Sequence, residues 1–335
     1  MVGSVRNMVE FARESIGRAK DTLVKSKYLK RIEALLKEDP EAVIKQFEQL
    51  RSAFCKLENF RILVIADVEK LKNPVSAWKP FVENRAFSGA LAPLDKRTDR
   101  LTGAGKNPGG ICNVVQMPTI DNSYSMHTCK GPSTYDDPQL PALMLVLSYL
   151  GVTEGPLWIA ARGSGLAYGV HMTRDHDAGQ ISFDVYRSSD AYKAFAAVKK
   201  VITDLADGTT AFDQNSLEGA ISSIVVIFAD SEPNMSGAGT VSFIRQVVHG
   251  TPKDFNTILL RRIKELTVDD LKAVLNSLVL PCFDPETSNV AVASTPLKAQ
   301  VCSCHRTNNV DDTDWLRRKS PPSSGRTGSM HNSRH

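Results

Sequence analysis

The sequence predicts an α+β fold in which helices are layered on a largely antiparallel or mixed sheet. Three observations carry this. Strand-like segments gather between residues 111 and 185, helical periodicity then runs to about 280, and a last strand-like segment follows at Asn289–Ser294. Ile181, Phe183 and Val185 alternate with Ser182 and Asp184, the two-residue period of a half-buried strand. Phe195, Val198, Ile202 and Leu205 then repeat at helical spacing, with Asp190 placed to cap that helix and Gly208 to close it.

Taken in order, residues 6–38 are rich in Lys, Glu, Ala and Leu and read as helix. Asp39-Pro40 restarts a helix, with Asp39 as cap and Pro40 at the first position. Val43, Phe47, Leu50 and Phe54 follow at helical spacing, which predicts one buried face. Residues 60–66 (FRILVIA) read as a strand covered on both sides. Residues 1–72 are thus expected to be the end of an α/β unit whose other strands lie elsewhere. Residues 73–110, with Pro74, Pro80, Pro93, Pro108 and a glycine-rich end, read as a linker. Residues 111–300 form the main α+β unit. Within it, 111–129 have strand character around a turn at Pro118–Asn122, and Pro138–Leu150 is a short buried helix ending at Gly151. Leu157–Ala161 is strand-like, and Arg162 to Gly169 is a glycine-rich turn. Three helical stretches are expected near 213–230, 236–249 and 253–280. From 301 to 335 hydrophobic periodicity stops, which predicts a disordered tail.

Composition excludes several function classes. The chain has 335 residues, 42% hydrophobic and 23% charged, values of a globular protein with a sizeable core. Its length suggests roughly two domains. Net charge is +4, and from His305 onward six Arg/Lys face three Asp. The rest is close to neutral, so the dense basic face of a nucleic-acid binder is absent. The longest apolar run, Leu140–Leu150, falls short of the ~20 residues of a membrane span. Cys55, Cys112, Cys129, Cys282, Cys302 and Cys304 are scattered, as reduced thiols are. Together with Glu10, Glu14 and Asp21 near the N-terminus, which a transit peptide would lack, they point to the cytoplasm, with the mitochondrial matrix as the alternative.

The search for chemistry begins with exclusions. His171 and His176 are five apart, the wrong spacing for two metal ligands on one helix face. His331 and His335 have the right spacing, but Arg334 stands where an inverted zinc motif needs its Glu. Cys302-Ser-Cys304-His305 has no second ligand pair. Walker and G-x-S-x-G motifs are absent. Gly163-Ser-Gly165 begins like a dinucleotide loop, but Tyr168 occupies the third glycine's place. What remains is Arg162-Gly-Ser-Gly-Leu-Ala-Tyr168-Gly169. Read plainly it is a surface turn. Read functionally, a guanidinium and a phenol hydroxyl could aim at one carbonyl oxygen, with Gly163, Ser164, Gly165 and Gly169 leaving room for a peptide backbone.

RGSGLAYG resembles the Arg/Tyr loop in the C-terminal half of the pitrilysin-type zinc metallopeptidases (inverzincins), which include insulin-degrading enzyme and the presequence protease. The presequence-protease branch and its cytosolic relatives look nearest. The flanking MPTIDNSYSMHTCKGP and ISFDVYRSSD, with the helices to Leu280, extend the resemblance over roughly residues 1–300. It implies a metallopeptidase-like α/β sandwich unit preceded by part of a second one. It further implies that Arg162 and Tyr168 hold an unfolded peptide substrate and stabilise its tetrahedral intermediate. In that family zinc is bound through H-x-x-E-H in the N-terminal half. No H-x-x-E-H occurs here, so this chain is expected to bind no zinc and to be inactive alone, with Zn2+ only in a separate N-terminal half. That half, or a second copy of this chain, is the expected protein partner. The alternatives are a non-catalytic structural or assembly homologue of the same fold, or a truncated gene product.

Overall fold

A computed structural model describes residues 2–73, 76–83 and 89–298. The tail, with Cys302, Cys304, His305, His331 and His335, lies outside the described residues.

The fold is mixed α/β around one five-stranded sheet. Its strands are β1 (Cys112–Gln116), β2 (Ser123–Lys130), β3 (Ala167–Asp175), β4 (Gln180–Ser188) and β5 (Ser288–Ser294). Their order is β1-β5-β2-β4-β3. β1 runs parallel to β5 and the other neighbours are antiparallel. The last strand in sequence therefore sits inside the sheet, between two strands joined by the expected turn at 118–122.

Before the sheet come α1 (Val2–Glu10), α2 (Ile16–Ala19), α3 (Thr22–Glu38), α4 (Pro40–Phe54), α5 (Lys79–Val82) and α6 (Gly103–Lys106). The single helix expected over 6–38 is broken where Phe11 leaves the helical path, bridges to Leu101 and buries its ring. Asp39 caps α4 as expected, its Oδ1 accepting from the Ala42 N–H at 3.1 Å. The face it was expected to bury is not buried. Val43 is, but Phe47 is 65% and Phe54 67% exposed. Residues 60–66 form no strand either. Ile62 and Val64 are 46% and 47% exposed, and no described strand runs beside them. A β-prone run without a neighbour has nothing to complete its ladder. Between 73 and 110 the chain packs at its far end. Leu101 is buried, the Thr102 N–H donates to the Glu10 carbonyl at 2.8 Å, and a side chain at Gly105 would strike that same carbonyl.

After β2 follow α7 (Leu140–Leu150), α8 (Pro156–Trp158), α9 (Ala191–Asp207), α10 (Gln214–Ser231), α11 (Met235–Phe243), α12 (Phe255–Lys264) and α13 (Val268–Val274). α7 is apolar nearly all round and lies in the core, with Leu143, Val146 and Leu150 at no exposure. α9 is closed as expected: the Asp190 carboxylate accepts from the Tyr192 and Lys193 N–H groups, and Gly208 adopts φ 85°. The stretch expected over 253–280 divides into α12 and α13 because Thr267 and Asp270 make a reciprocal capping box. Leu157–Ala161 is helical rather than strand. Pro156 starts a turn, and Leu157 and Ala161, four apart, both point into the core.

Ile181 and Phe183 of β4 meet these helices in one core with Val198, Ile202, Val279 and Phe283. The opposite face of β4 was expected in solvent, yet Ser182 is buried. α1 lies on that side of the sheet, against β5 and β2, and reaches β4 through Arg6. Arg6 donates to Gln180 at 2.6 Å and to Glu10 at 2.7 Å, and the buried Glu10 carboxylate also accepts from Gln180 at 3.3 Å and Asn289 at 3.2 Å. Burial of Asn289 in β5 has the same cause, whereas Ser288, paired with Cys129, faces the helical core and donates its hydroxyl to the Asp284 carbonyl. Among the core thiols, Cys129 and Cys282 lie with their sulfurs 3.0 Å apart.

Candidate functional site

Arg162 sits in a π-helical turn, Ile159–Gly163, that continues α8. Such turns carry one extra residue and tend to occur where a side chain is re-aimed for function. Its guanidinium carbon is 4.7 Å from the ring centroid of Tyr168 and 5.8 Å from that of Trp158. Both contacts are cation–π, and both leave the N–H groups at the rim of the guanidinium open to another acceptor. The Arg162 side chain makes no hydrogen bond or ion pair to any described residue. Tyr168, the second residue of β3, is 57% exposed. The structure thus brings together the two residues singled out from sequence. It stacks them, however, instead of converging their polar tips on one point.

The glycines do different things. Gly165 has φ 72°, a conformation that favours glycine, with open space around it, and it turns the chain from the π turn into β3. Gly163 packs near Trp158 with room for a methyl group, and a Cβ at Gly169 would press on His171. Ser164 donates its hydroxyl backward to the Ala160 carbonyl at 2.5 Å, closing the turn rather than facing outward. Gly165 alone of the four has a backbone that a side chain would strain.

Two further features escaped the sequence reading. Trp158 lies four residues before Arg162, which on a helix is a facing position, so its part was available from spacing. Asp184 was not. It is largely buried on the α1 side of β4, its Oδ1 has no partner, and burial pushes its carboxyl up to about 6 despite nearby Arg6. Its strand neighbours are Met126 and His171, a juxtaposition visible only once register is known.

His171 and His176 do not meet at a metal site. His171 is exposed on β3, while His176 is buried beyond its end with its ring centroid 3.9 Å from that of Tyr135. Among the described residues no group of three or more His, Cys, Asp or Glu is placed to hold a metal. No described helix is long and apolar enough to cross a membrane.

No family model matches the chain. Among the curated proteins that do are two named as uncharacterized. One, C3H1.02c of Schizosaccharomyces pombe, is 28% identical over 281 residues, 83% of this chain and 27% of its own length. The other, YOL098C of Saccharomyces cerevisiae, is 27% identical over 260 residues, 76% of this chain and 25% of its own length. The chain thus spans about a quarter of the length of the curated relatives it matches. Among solved structures, a protease from Helicobacter pylori superposes with a TM-score of 0.50 at 15% identity, over 66% of this chain and 52% of that one. At that identity the likeness is one of fold: the chain has a metallopeptidase-like α/β architecture.

Proposed function

We propose that this chain belongs to the substrate-holding C-terminal half of a pitrilysin-type zinc metalloendopeptidase of the presequence-protease kind. The observation that carries the reading is the exposed Arg162–Tyr168 stack beside a sheet end, with the guanidinium committed to no carboxylate of its own. A desolvated peptide carbonyl is a fitting acceptor for such a donor. Arg162 would turn its N–H groups onto the carbonyl oxygen of a bound, unfolded peptide, and Tyr168 would donate its hydroxyl to the same region. Both would gain strength as negative charge develops on that oxygen.

Hydrolysis needs a second half. The described residues do not fit a zinc site, and H-x-x-E-H is absent from the sequence. A zinc-bearing N-terminal half would supply Lewis-acid polarisation of the carbonyl and an acidified water. The exposed apolar side chains of α4 and residues 62–65 support a missing neighbour of that kind.

The test is cleavage of an unstructured peptide in the presence of zinc, by this chain alone and mixed with the zinc-bearing half of a close relative. Turnover is expected only in the mixture. Arg162→Ala is expected to lower kcat by roughly 100-fold or more, the worth of one transition-state donor, and Tyr168→Phe by a similar order. An inactive mixture whose halves nonetheless associate would favour a structural homologue. Zinc-dependent turnover by this chain alone would overturn the division of labour.

A further inference from the structure

The β2–β4 ladder slips next to the Arg162–Tyr168 stack. Ser123 pairs with Ser188 and Ser125 with Val185, so Tyr124 alone is opposed by two residues, Tyr186 and Arg187. This is a β-bulge in β4, an arrangement that re-aims side chains and is common beside active sites. Arg187 has φ 51°, a left-handed conformation that a residue with a long side chain adopts at a cost. Its consequence is visible in exposure. A regular strand would turn one of two successive residues inward, yet Tyr186 and Arg187 are both exposed before Ser188 is buried again. The bulge sets three tyrosines in a row across β2, β4 and β3. Tyr124 to Tyr186 is 5.6 Å between centroids and Tyr186 to Tyr168 is 6.1 Å, each pair at 71°. Arg187 lies 5.5 Å over Tyr186, as Arg162 lies over Tyr168. Neither guanidinium makes a hydrogen bond or ion pair to a described residue. Among the described residues Tyr186 and Tyr168 are left exposed and Tyr124 half-buried. The bulge thereby places ring surface beside the stack.

We infer that the bulge builds a specificity subsite, in which Tyr124 and Tyr186 receive an aromatic side chain of the extended peptide held by Arg162 and Tyr168. This rests on the reading of that stack as a peptide-holding site. The incoming ring would extend the row by the same edge-to-face contacts the tyrosines make with one another. Tyr186 and Tyr124 are then substrate contacts, and Arg187 is a positioning residue whose backbone holds Tyr186 outward.

The experiment measures binding of two fluorescein-labelled peptides to the full chain by anisotropy. Both are Gly/Ser/Ala peptides of about ten residues, one with a single central Phe and the other with Ala in its place. The wild-type chain is expected to bind the Phe peptide roughly three- to tenfold more tightly, the worth of one aromatic pair. Tyr186→Ala should make the two peptides equal, and Tyr186→Phe should keep the preference. Arg187→Gly, at ease with a left-handed backbone, should keep it too, whereas Arg187→Val, more strained there, should lose it while the chain stays folded by circular dichroism. Arg162→Ala should weaken both peptides alike. Equal binding by the wild type, or a preference that survives Tyr186→Ala, overturns the subsite while leaving the peptide-holding reading standing. Failure of the wild type to bind either peptide overturns both.

Discussion

α4 and β4 carry comparably apolar patterns and meet opposite fates. In β4, Ile181, Phe183 and Val185 are buried against a cluster that reaches from α7 to the turn after α13, while α1, packed on β5 and β2, reaches the other face through Arg6. In α4, Val43 is buried, but Phe47, Leu50 and Phe54, on the same periodic stripe, stand in solvent, as do Ile62 to Ile65 after it. The difference lies in what stands opposite. Periodicity marks a face that can be buried, and burial itself needs a second surface. Within this chain β4 has two such surfaces and α4 has almost none.

The comparison can be broken most severely from the β4 side. Phe183 has no exposure and touches the rings of Phe195 and Phe283. Phe183→Ala should cost about 3–5 kcal/mol, the range for a buried aromatic truncated to a cavity. Urea unfolding followed by far-UV circular dichroism would read this as a lowered midpoint at constant slope. A loss below about 1 kcal/mol would mean that the β4 core is as loose as the α4 surface.

One residue on, the other face predicts a gain. Because burial raises the Asp184 carboxyl to about 6 from its ordinary 3.8, the folded chain binds a proton more tightly than the unfolded one. Stability from this group is therefore fully present below the unfolded value, is lost as pH rises from about 4 to 6, and stays lost at neutral pH. Asp184→Asn should raise stability by roughly 1–3 kcal/mol at pH 7.5 and by little at pH 4. His176 works in the opposite sense. Burial holds it down to about 4, so its contribution is lost as pH falls below about 6.5. The Asp184→Asn chain should accordingly show a steeper net loss on acidification than the wild type. Equal gains at both pH values would remove Asp184 as the cause.

On the α4 side the expected effect on stability is smallest. Phe47→Ser with Phe54→Ser should change unfolding free energy by less than about 0.5 kcal/mol, as exposed positions do, while lowering self-association in sedimentation velocity. A loss of several kcal/mol would show that this face is covered after all.

Much of the fold was legible because it rests on local rules. Asp39 and Asp190 mark helix starts, Gly208 marks a helix end, and the alternation of 181–185 marks a strand, each through hydrogen bonds or sterics of a few neighbouring residues. Where the sequence reading failed, it assumed a partner or mistook a short period. Residues 60–66 have strand character and no neighbouring strand. Leu157–Ala161 is apolar, but its buried residues are four apart. Ser182 alternates as a surface residue would, yet it is buried on the side of the sheet where α1 packs. The site divides in the same way. Arg162 and Tyr168 could be singled out by residue type and loop chemistry, and Trp158 by helical spacing. Tyr124, Tyr186, Arg187 and Asp184 could not, because what makes them notable is the register that sets one strand against another.

By itself, then, the sequence determined the fold class, most helix limits, the location of the main core and the Arg–Tyr pair. Tertiary structure alone decided that β5 enters the middle of the sheet, that α1 roofs its second face, and that a one-residue slip between β2 and β4 lines up three tyrosines. The physical reason is range. Caps, turns and periodicity are fixed by interactions over a few residues, whereas strand order and register depend on pairings such as Cys112 with Val290, for which many alternatives look alike in the sequence until all of them must be satisfied at once.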